Sequence, residues 1–497
     1  MRRLLPLLCV LLFAAVATPA DASRTQEATF QDDNQLIYTT RDQLDRRLDT
    51  LKALGVDRIR ATILWAAIAP DPLSRTRPAG FDATNPDDYT DAIWHHYDYL
   101  VQDAYVRGIK VNFNVTGPSP LWANEVPPRD DIQDTYEPSP GEFAQFVTAV
   151  GRRYSGDWPD VDYPAARLPR VDYWSIWNEP NVSGWLTPNW QKSGRTWFER
   201  SASLYRELAD AAYGALAATG HGSDTILIGE TAPSGNDSKN LKRYMQPMTF
   251  VRALYCVDRR LHRLKGKRAK LLGCPKKASA FRTAHPVLFR ATGYGHHPYQ
   301  LLTPPNVKPR DPDIVTMAVL SRLTRALDTI QRRYSSRKRF PLYLTEYGYQ
   351  TPPDPLGVPL RTQGAYLNHS EYMAFRNPRV RTLAQFLLYD DGDPVAKTFQ
   401  SGLVTHDGTP KPAFAAYRLP AWLQGRRLWG LVRPAKARAR VKASIQYRPP
   451  KARKYRTIKR LTTSGTRNVV GATVHVRRGG SLRIVAGKLR SRTVRVP

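Results

Sequence analysis

The stretch that decides the fold is WSIWNEPN, Trp174 to Asn181. With Tyr173 ahead of it, an apolar, β-prone run leads straight into Asn178, Glu179, Pro180 and Asn181. Proline has no N–H to give a ladder, so the strand must stop there. Asn178 and Glu179 are left at the C-terminal tip of a buried strand. In a parallel α/β sheet or barrel, that tip is where polar working groups collect. The reading therefore depends on whether the rest of the chain supplies such a sheet, and whether it brings a second carboxylate to the same end.

Working outward, short apolar strands alternate with helical patterns. Residues 28–33 read as a first strand. Thr40 and Gln43 form a capping box, and Leu44, Leu48, Leu51 and Leu54 recur at helical spacing until Gly55. Further strands are expected over 57–65, 109–115, 173–177, 225–230, 291–297, 341–346 and 383–389. Helices are expected over 89–107, 143–154, 197–218, 314–334 and 412–423. Eight strands alternating with helices are the count and period of a (β/α)8 TIM barrel, which we place at 23–424. An open doubly wound sheet would favour a glycine-rich phosphate turn after the first strand, and none is present. A P-loop, a G-x-S-x-G elbow and an H-E-x-x-H pair are also missing from the sequence.

The tail, 425–497, has a different period. Val441, Ala443, Ile445 and Tyr447 alternate with Lys442, Ser444, Gln446 and Arg448, and Leu482, Ile484 and Ala486 repeat the pattern. A period of two punctuated by glycines and Pro449-Pro450 predicts a small C-terminal antiparallel β-sandwich with a basic outer face.

Charge divides the chain in the same way. The formal net charge is +32 over 497 residues. Residues 421–497 hold 22 Lys and Arg with no acid, and a second basic segment near 252–282 has 11 with only Asp258. The remainder balances to zero, so the basic surplus sits in a tail and one insert. A nucleic-acid binder would usually carry its charge on the main binding surface, so nucleic acid is not the expected partner. An anionic cell-wall polymer is the partner the tail suggests, against the plain alternative of a solvated basic face.

The N-terminus reads as a secretory signal over 1–22: Met1-Arg2-Arg3, an apolar run from Leu4 to Val16, and the Ala20-Asp21-Ala22 site. The run is too short for a membrane span. A secreted or wall-associated protein is expected, with no transmembrane segment after cleavage. Cys9 leaves with the signal, and Cys256 and Cys274 remain for one disulfide. Two free thiols are the alternative. No further ligands at metal-site spacing accompany them, so no metal is expected there.

The second carboxylate is Glu346, which ends the strand before Tyr347 and Gly348. Two carboxylates at strand tips across one barrel mouth suit glycoside hydrolysis. WNEPN followed by a later strand-end Glu resembles the clan A retaining glycoside hydrolases, the cellulase-like and β-xylosidase-like (β/α)8 superfamily. The resemblance runs over 28–420. It implies Glu179 as acid/base, Glu346 as nucleophile and Asn178 as the partner of a sugar hydroxyl. It further implies that His297 and Tyr299 match a strand-six His-x-Tyr, and that Arg60 orients the nucleophile. On strand eight the usual aromatic platform is replaced by Tyr389 followed by Asp390 and Asp391. The mechanism implied is double displacement on a carbohydrate, with β-linkages the expected class and neither cofactor nor metal.

Trp65, Trp122, Trp185 and Trp190 fall in loops after strands two, three and four and are candidate sugar platforms, with ordinary loop packing as the alternative. Glu230, ending strand five, has a supporting role at the same mouth. The competing function is a non-catalytic carbohydrate-binding or wall-attached protein on the same barrel.

Overall fold

The computed structural model describes residues 26–160, 162–163, 165–240, 244–392 and 399–497. The expected signal peptide lies outside them. Among the described residues, no helix is long and apolar enough to cross a membrane.

Eight parallel strands close into a barrel: β1 (Glu27–Gln31), β2 (Arg58–Leu64), β3 (Lys110–Thr116), β4 (Tyr173–Ile176), β5 (Thr225–Thr231), β6 (Gly293–His296), β7 (Leu342–Leu344) and β8 (Val380–Phe386). Each pairs with its neighbours in sequence, and β8 returns to β1 with Gln31 opposite Phe386. Helices α1 (Arg41–Leu54), α2 (Asp91–Val106), α3 (Pro140–Arg153), α4 (Arg200–Leu216), α5 (Pro247–Leu254), α6 (Leu320–Arg333), α7 (Leu360–Arg376) and α8 (Pro412–Arg418) follow them in turn. The α1 start is as its sequence suggests: the Thr40 hydroxyl accepts from the Gln43 N–H, Leu44, Leu48, Leu51 and Leu54 are buried, and Gly55 ends the helix at φ +79°. That left-handed angle costs glycine nothing, whereas a side chain would strain there.

Barrel strands have both faces covered, so their polar inward groups must find partners inside. Arg58 and Arg60 lie two apart on β2 and share a face. Arg58 serves the N-terminal end of the barrel, 2.8 Å from Glu27 and over the Tyr173 ring. Arg60 reaches toward the C-terminal mouth.

Three of the boundaries that differ from expectation have a visible cause. The helix expected over 412–423 ends at Arg418, because Pro420 cannot continue it, and Ala421 opens a strand of the C-terminal unit. Strand eight was expected to reach Tyr389 but ends at Phe386, where its partner β1 also ends. Beyond Phe386 the N–H groups of Leu388 and Tyr389 turn onto Asp32 Oδ2, at 2.9 and 3.0 Å, and leave the ladder. The helix expected from Ile314 starts at Leu320, since Val315 is tied to the barrel through Pro233 O and the His296 ring.

The C-terminal unit is two antiparallel sheets. One is β9 (Ala421–Gln424), β10 (Arg427–Leu431) and β13 (Val469–Thr473). The other contains β11 (Lys442–Arg448), β12 (Arg456–Thr462), β14 (Ser481–Ala486), β15 (Leu489–Arg490) and β16 (Val494–Arg495). Ala443, Ile445, Tyr447, Leu482, Ile484 and Ala486 meet in its own core. This unit is fastened to the barrel. Arg433 is buried with Glu371 of α7 at 2.8 Å, Arg467 pairs with Asp57, and Trp422 stacks on His369 at 3.7 Å. Cys256 and Cys274 are bridged. Beneath the bridge, buried Arg206 of α4 donates to Leu254 O at 3.0 Å, which ties the basic insert to the barrel wall.

Candidate active site

The opening stretch ends in a tight reversal. Trp177 and Glu179 both hold positive φ, +65° and +36°, in the turn that follows β4. Strain of this kind costs about 1–3 kcal/mol per residue and persists only where the surroundings impose it. Here they do: Trp177 N–H donates to Val115 O, Glu179 N–H to Glu230 O, and Asn178 N–H to the Thr116 hydroxyl. Pro180 lies within the turn, and the Glu179 carboxylate is brought over the mouth.

Glu346 arrives just past β7. It accepts from Arg60 at 2.7 Å on Oε1 and from the Tyr299 hydroxyl at 3.1 Å on Oε2. Glu179 Oε1 bonds His297 Nδ1 at 2.8 Å. One oxygen from each carboxylate and a nitrogen of His297 all lie within 4.8 Å of one another. Asn178 Oδ1 accepts from Arg60 at 2.8 Å, which leaves its amide N–H groups for another acceptor. Arg60 also donates to Gln31 at 2.5 Å. The six residues Arg60, Asn178, Glu179, His297, Tyr299 and Glu346 are therefore one connected group, as the sequence suggested. Arg60 differs in one respect: it sits in the middle of β2, and its length carries the guanidinium to the mouth.

His297 is fully buried, and burial alone would drive its proton off. The Glu346 carboxylate nearby and hydrogen bonds to Glu179 and Glu230 reverse this and push its pKa up to about 10. Its neighbour His296 bonds Thr231 and Val315 instead of a carboxylate, and burial pushes it down to about 4. Burial raises Tyr299 well above the ordinary phenol range, and the nearby carboxylates add to this, so it stays a donor to Glu346.

Glu179, His297 and Glu346 are close enough to hold a metal ion, but the donor set argues otherwise. A ligating imidazole needs a free lone pair. Both His297 nitrogens are engaged by carboxylates, Nε2 by Glu230 at 3.0 Å, and Arg60 already supplies the cation beside Glu346. The group is an internally balanced acid–base network.

The aromatic expectations are largely corrected. Trp65 is fully buried, stacked on Phe146 with centroids 5.6 Å apart and edge-on to Trp122, so it is core and presents no face to a ligand. Trp190 is buried as well. Trp122 is packed between Trp65 and Phe81 and donates from Nε1 to Pro70 O. Trp185 is half-buried after β4. Tyr389 does not floor the site: its hydroxyl and ring are taken by Arg47 of α1, at 2.6 and 4.0 Å. The aromatic that β8 brings to this end is Phe386, edge-on to Tyr299 with Phe399 beyond it. The β8 boundary, set by Asp32, hid it from the sequence reading.

No family model matches this chain, and no curated protein matches it. Solved structures do. A GH39 β-xylosidase from Caulobacter crescentus is 16% identical, with 95% of this chain and 98% of that chain covered and a TM-score of 0.47. The GH39 enzyme from Xanthomonas axonopodis pv. citri is 14% identical, with 95% of each chain covered and a TM-score of 0.46. A family 1 β-glucosidase from Thermotoga maritima is 15% identical, with 73% of this chain and 81% of that chain covered and a TM-score of 0.44. At these values the barrel rests on its own strand pairing and the chemistry on its own side chains.

Proposed function

We propose that this chain is a retaining glycoside hydrolase of the clan A type, cleaving O-glycosidic bonds of a poly- or oligosaccharide, with β-linkages the expected class. The observation that carries this is the approach of Glu179 and Glu346 to within 4.8 Å across the mouth, in unlike surroundings. Carboxyl groups about 5–5.5 Å apart suit a covalent intermediate, whereas wider pairs leave room for a water. Glu346, held by Arg60 and Tyr299, is the anion and the nucleophile. Glu179 bonds His297 through Oε1, and its other oxygen, which meets no donor among the described residues, is free to give and take a proton.

In the first step Glu346 attacks the anomeric carbon while the Glu179 carboxylic acid passes its proton to the departing oxygen. In the second, Glu179 removes a proton from water, whose oxygen displaces Glu346 and releases the sugar. The amide N–H of Asn178 faces a ring hydroxyl. Secretion, and attachment through the tail to an anionic wall polymer, belong to the same proposal. They are supported by the N-terminal sequence and by the acid-free, basic composition of 421–497.

The test is a screen of chromogenic β-glycosides and polysaccharides with Glu346→Ala as control, followed by product anomer analysis. Turnover with retained configuration that vanishes in the variant is expected. Sugar binding without turnover would favour the non-catalytic reading.

A further inference from the structure

Glu230 is a fully buried carboxylate at the mouth that double displacement does not use. The chain goes to some length to put it there. Gly229 and Glu230 take φ +99° and +45°, and the β5–β6 register breaks between Ile228 and Thr231. A Cβ on Gly295 would sit 2.3 Å from Glu230 Oε1, so that glycine clears the carboxylate's space, while a Cβ on Gly229 would sit 2.4 Å from the Tyr294 ring. Glu230 Oε2 accepts from His297 Nε2, from Arg60 at 3.4 Å and from the Thr345 hydroxyl, while Oε1 has no hydrogen-bond partner among the described residues. Its backbone carbonyl also takes the Glu179 N–H.

We propose that Glu230 is a positioning residue that keeps His297 doubly protonated, so that the imidazole can only donate to Glu179 and the acid's own proton is confined to Glu179 Oε2. The proposal rests on the hydrolase reading given above. Its logic is that of hydrogen-bond inventory. An imidazolium has two N–H donors and no acceptor. With Nε2–H on Glu230 and Nδ1–H on Glu179 Oε1, the transferable proton can only be on Oε2, which has no partner among the described residues. A neutral ring with a bare Nδ1 would instead accept from Glu179 and turn the acid proton away from the leaving group.

The charged and titratable groups facing His297 from every side are Glu179 after β4, Glu230 on β5, Tyr299 after β6, Glu346 after β7 and Arg60 on β2. His296 on β6 is engaged with Thr231 and Val315. Burial opposes the charge on the ring, and the Glu346 carboxylate with the hydrogen bonds to Glu179 and Glu230 outweighs it. Of these, Glu230 is the one that neither changes covalent state nor exchanges protons in the reaction. Its hold therefore stays constant as Glu179 and Glu346 lose their charges in turn.

The experiment uses the full chain with 15N-histidine labelling, the His297 ring signals being identified by their loss in His297→Gln. Both ring nitrogens should carry protons at pH 7–8 in the wild type, and a neutral ring there would overturn the proposal. In Glu230→Gln the ring should be neutral at the same pH. Turnover of an alkyl glycoside should fall about tenfold or more, while a dinitrophenyl glycoside, which needs no acid, should stay within about threefold. A ring that remains doubly protonated in the variant, or equal losses on the two substrates, would overturn it. Should Glu230→Gln not fold, Glu230→Asp withdraws the carboxylate from Nε2, and the same leaving-group split is required of it. If the wild type is inactive on every glycoside, the hydrolase reading fails, while the ring protonation still decides whether Glu230 governs His297.

Discussion

Two regions of this molecule handle charge in opposite ways. At the barrel mouth Arg60 and His297 meet Glu179, Glu230 and Glu346 in a buried network where each cation is matched by carboxylates. On the C-terminal unit 22 cations face no acid of their own, and among the described residues only Arg433 and Arg467 find carboxylates, both on the barrel. Buried charges interact strongly because water does not screen them, and each must be matched. Exposed cations are individually weak but sum to a field, and salt erases that field. The first arrangement suits chemistry at one point, and the second suits loose attachment along a surface.

The largest effect should come from the mouth. Glu346→Ala should lower turnover by about 10⁴-fold or more, since no other group can form the covalent intermediate. Residual turnover near the wild-type level would remove the contrast between the two regions. Glu179→Ala should lose about 10²–10⁴-fold on substrates with poor leaving groups. Azide should restore much of the rate on activated aryl glycosides and yield a glycosyl azide, and its absence from the products would argue against the acid/base assignment.

The two regions also meet, and the junction can be measured. Arg433→Ala would strand Glu371 inside the interface and should destabilise the protein by about 3–5 kcal/mol, read as a lowered urea midpoint. An unchanged midpoint would mean that the C-terminal unit is carried passively. This junction also makes simple truncation a poor test of the tail, because it would expose the same carboxylate.

A smaller effect concerns pH. The His297 pKa is raised by folding from its ordinary 6.5 to about 10. More protons are bound in the folded state, so its stabilising contribution is full below pH 6.5 and lost as pH rises toward 10. The melting-temperature gap between wild type and His297→Gln should therefore narrow over that window. A gap independent of pH would show that the ring is neutral throughout.

The smallest effect on turnover, and the sharpest on attachment, is expected on the outer sheet face. Arg460 of β12 is exposed, and Arg483 of β14 and Arg448 of β11 flank the Tyr455 ring at 4.1 and 5.2 Å. Replacing Arg448, Arg460 and Arg483 with Gln should leave hydrolysis of a small glycoside unchanged. Retention on an acidic polysaccharide should weaken, as should its salt dependence. Identical retention of both proteins across a salt series would reduce the tail's charge to a solvated coat.

Much of this was legible in the chain because it is local. Leu44, Leu48, Leu51 and Leu54 at helical spacing, Thr40 as cap and Gly55 as stop act within one element. The order of strands, the strand-end positions of Asn178, Glu179, His297 and Glu346, and the alternation of Ala443, Ile445 and Tyr447 depend on periods of 3.6 and 2 and on proline and glycine. What was not legible depends on groups far apart in sequence. Tyr389 looked like the end of β8 until Asp32, on the far side of the closure, took the next two N–H groups. Trp65 looked like a platform because a loop tryptophan gives no sign that Phe146 will cover it. By itself, the sequence determined a (β/α)8 barrel with a basic β-unit and one acid pair at the strand tips. Only the tertiary structure decided that Glu230 joins them through His297, and which aromatics remain open, because burial and charge balance are properties of what packs around a residue and are not written at its own position.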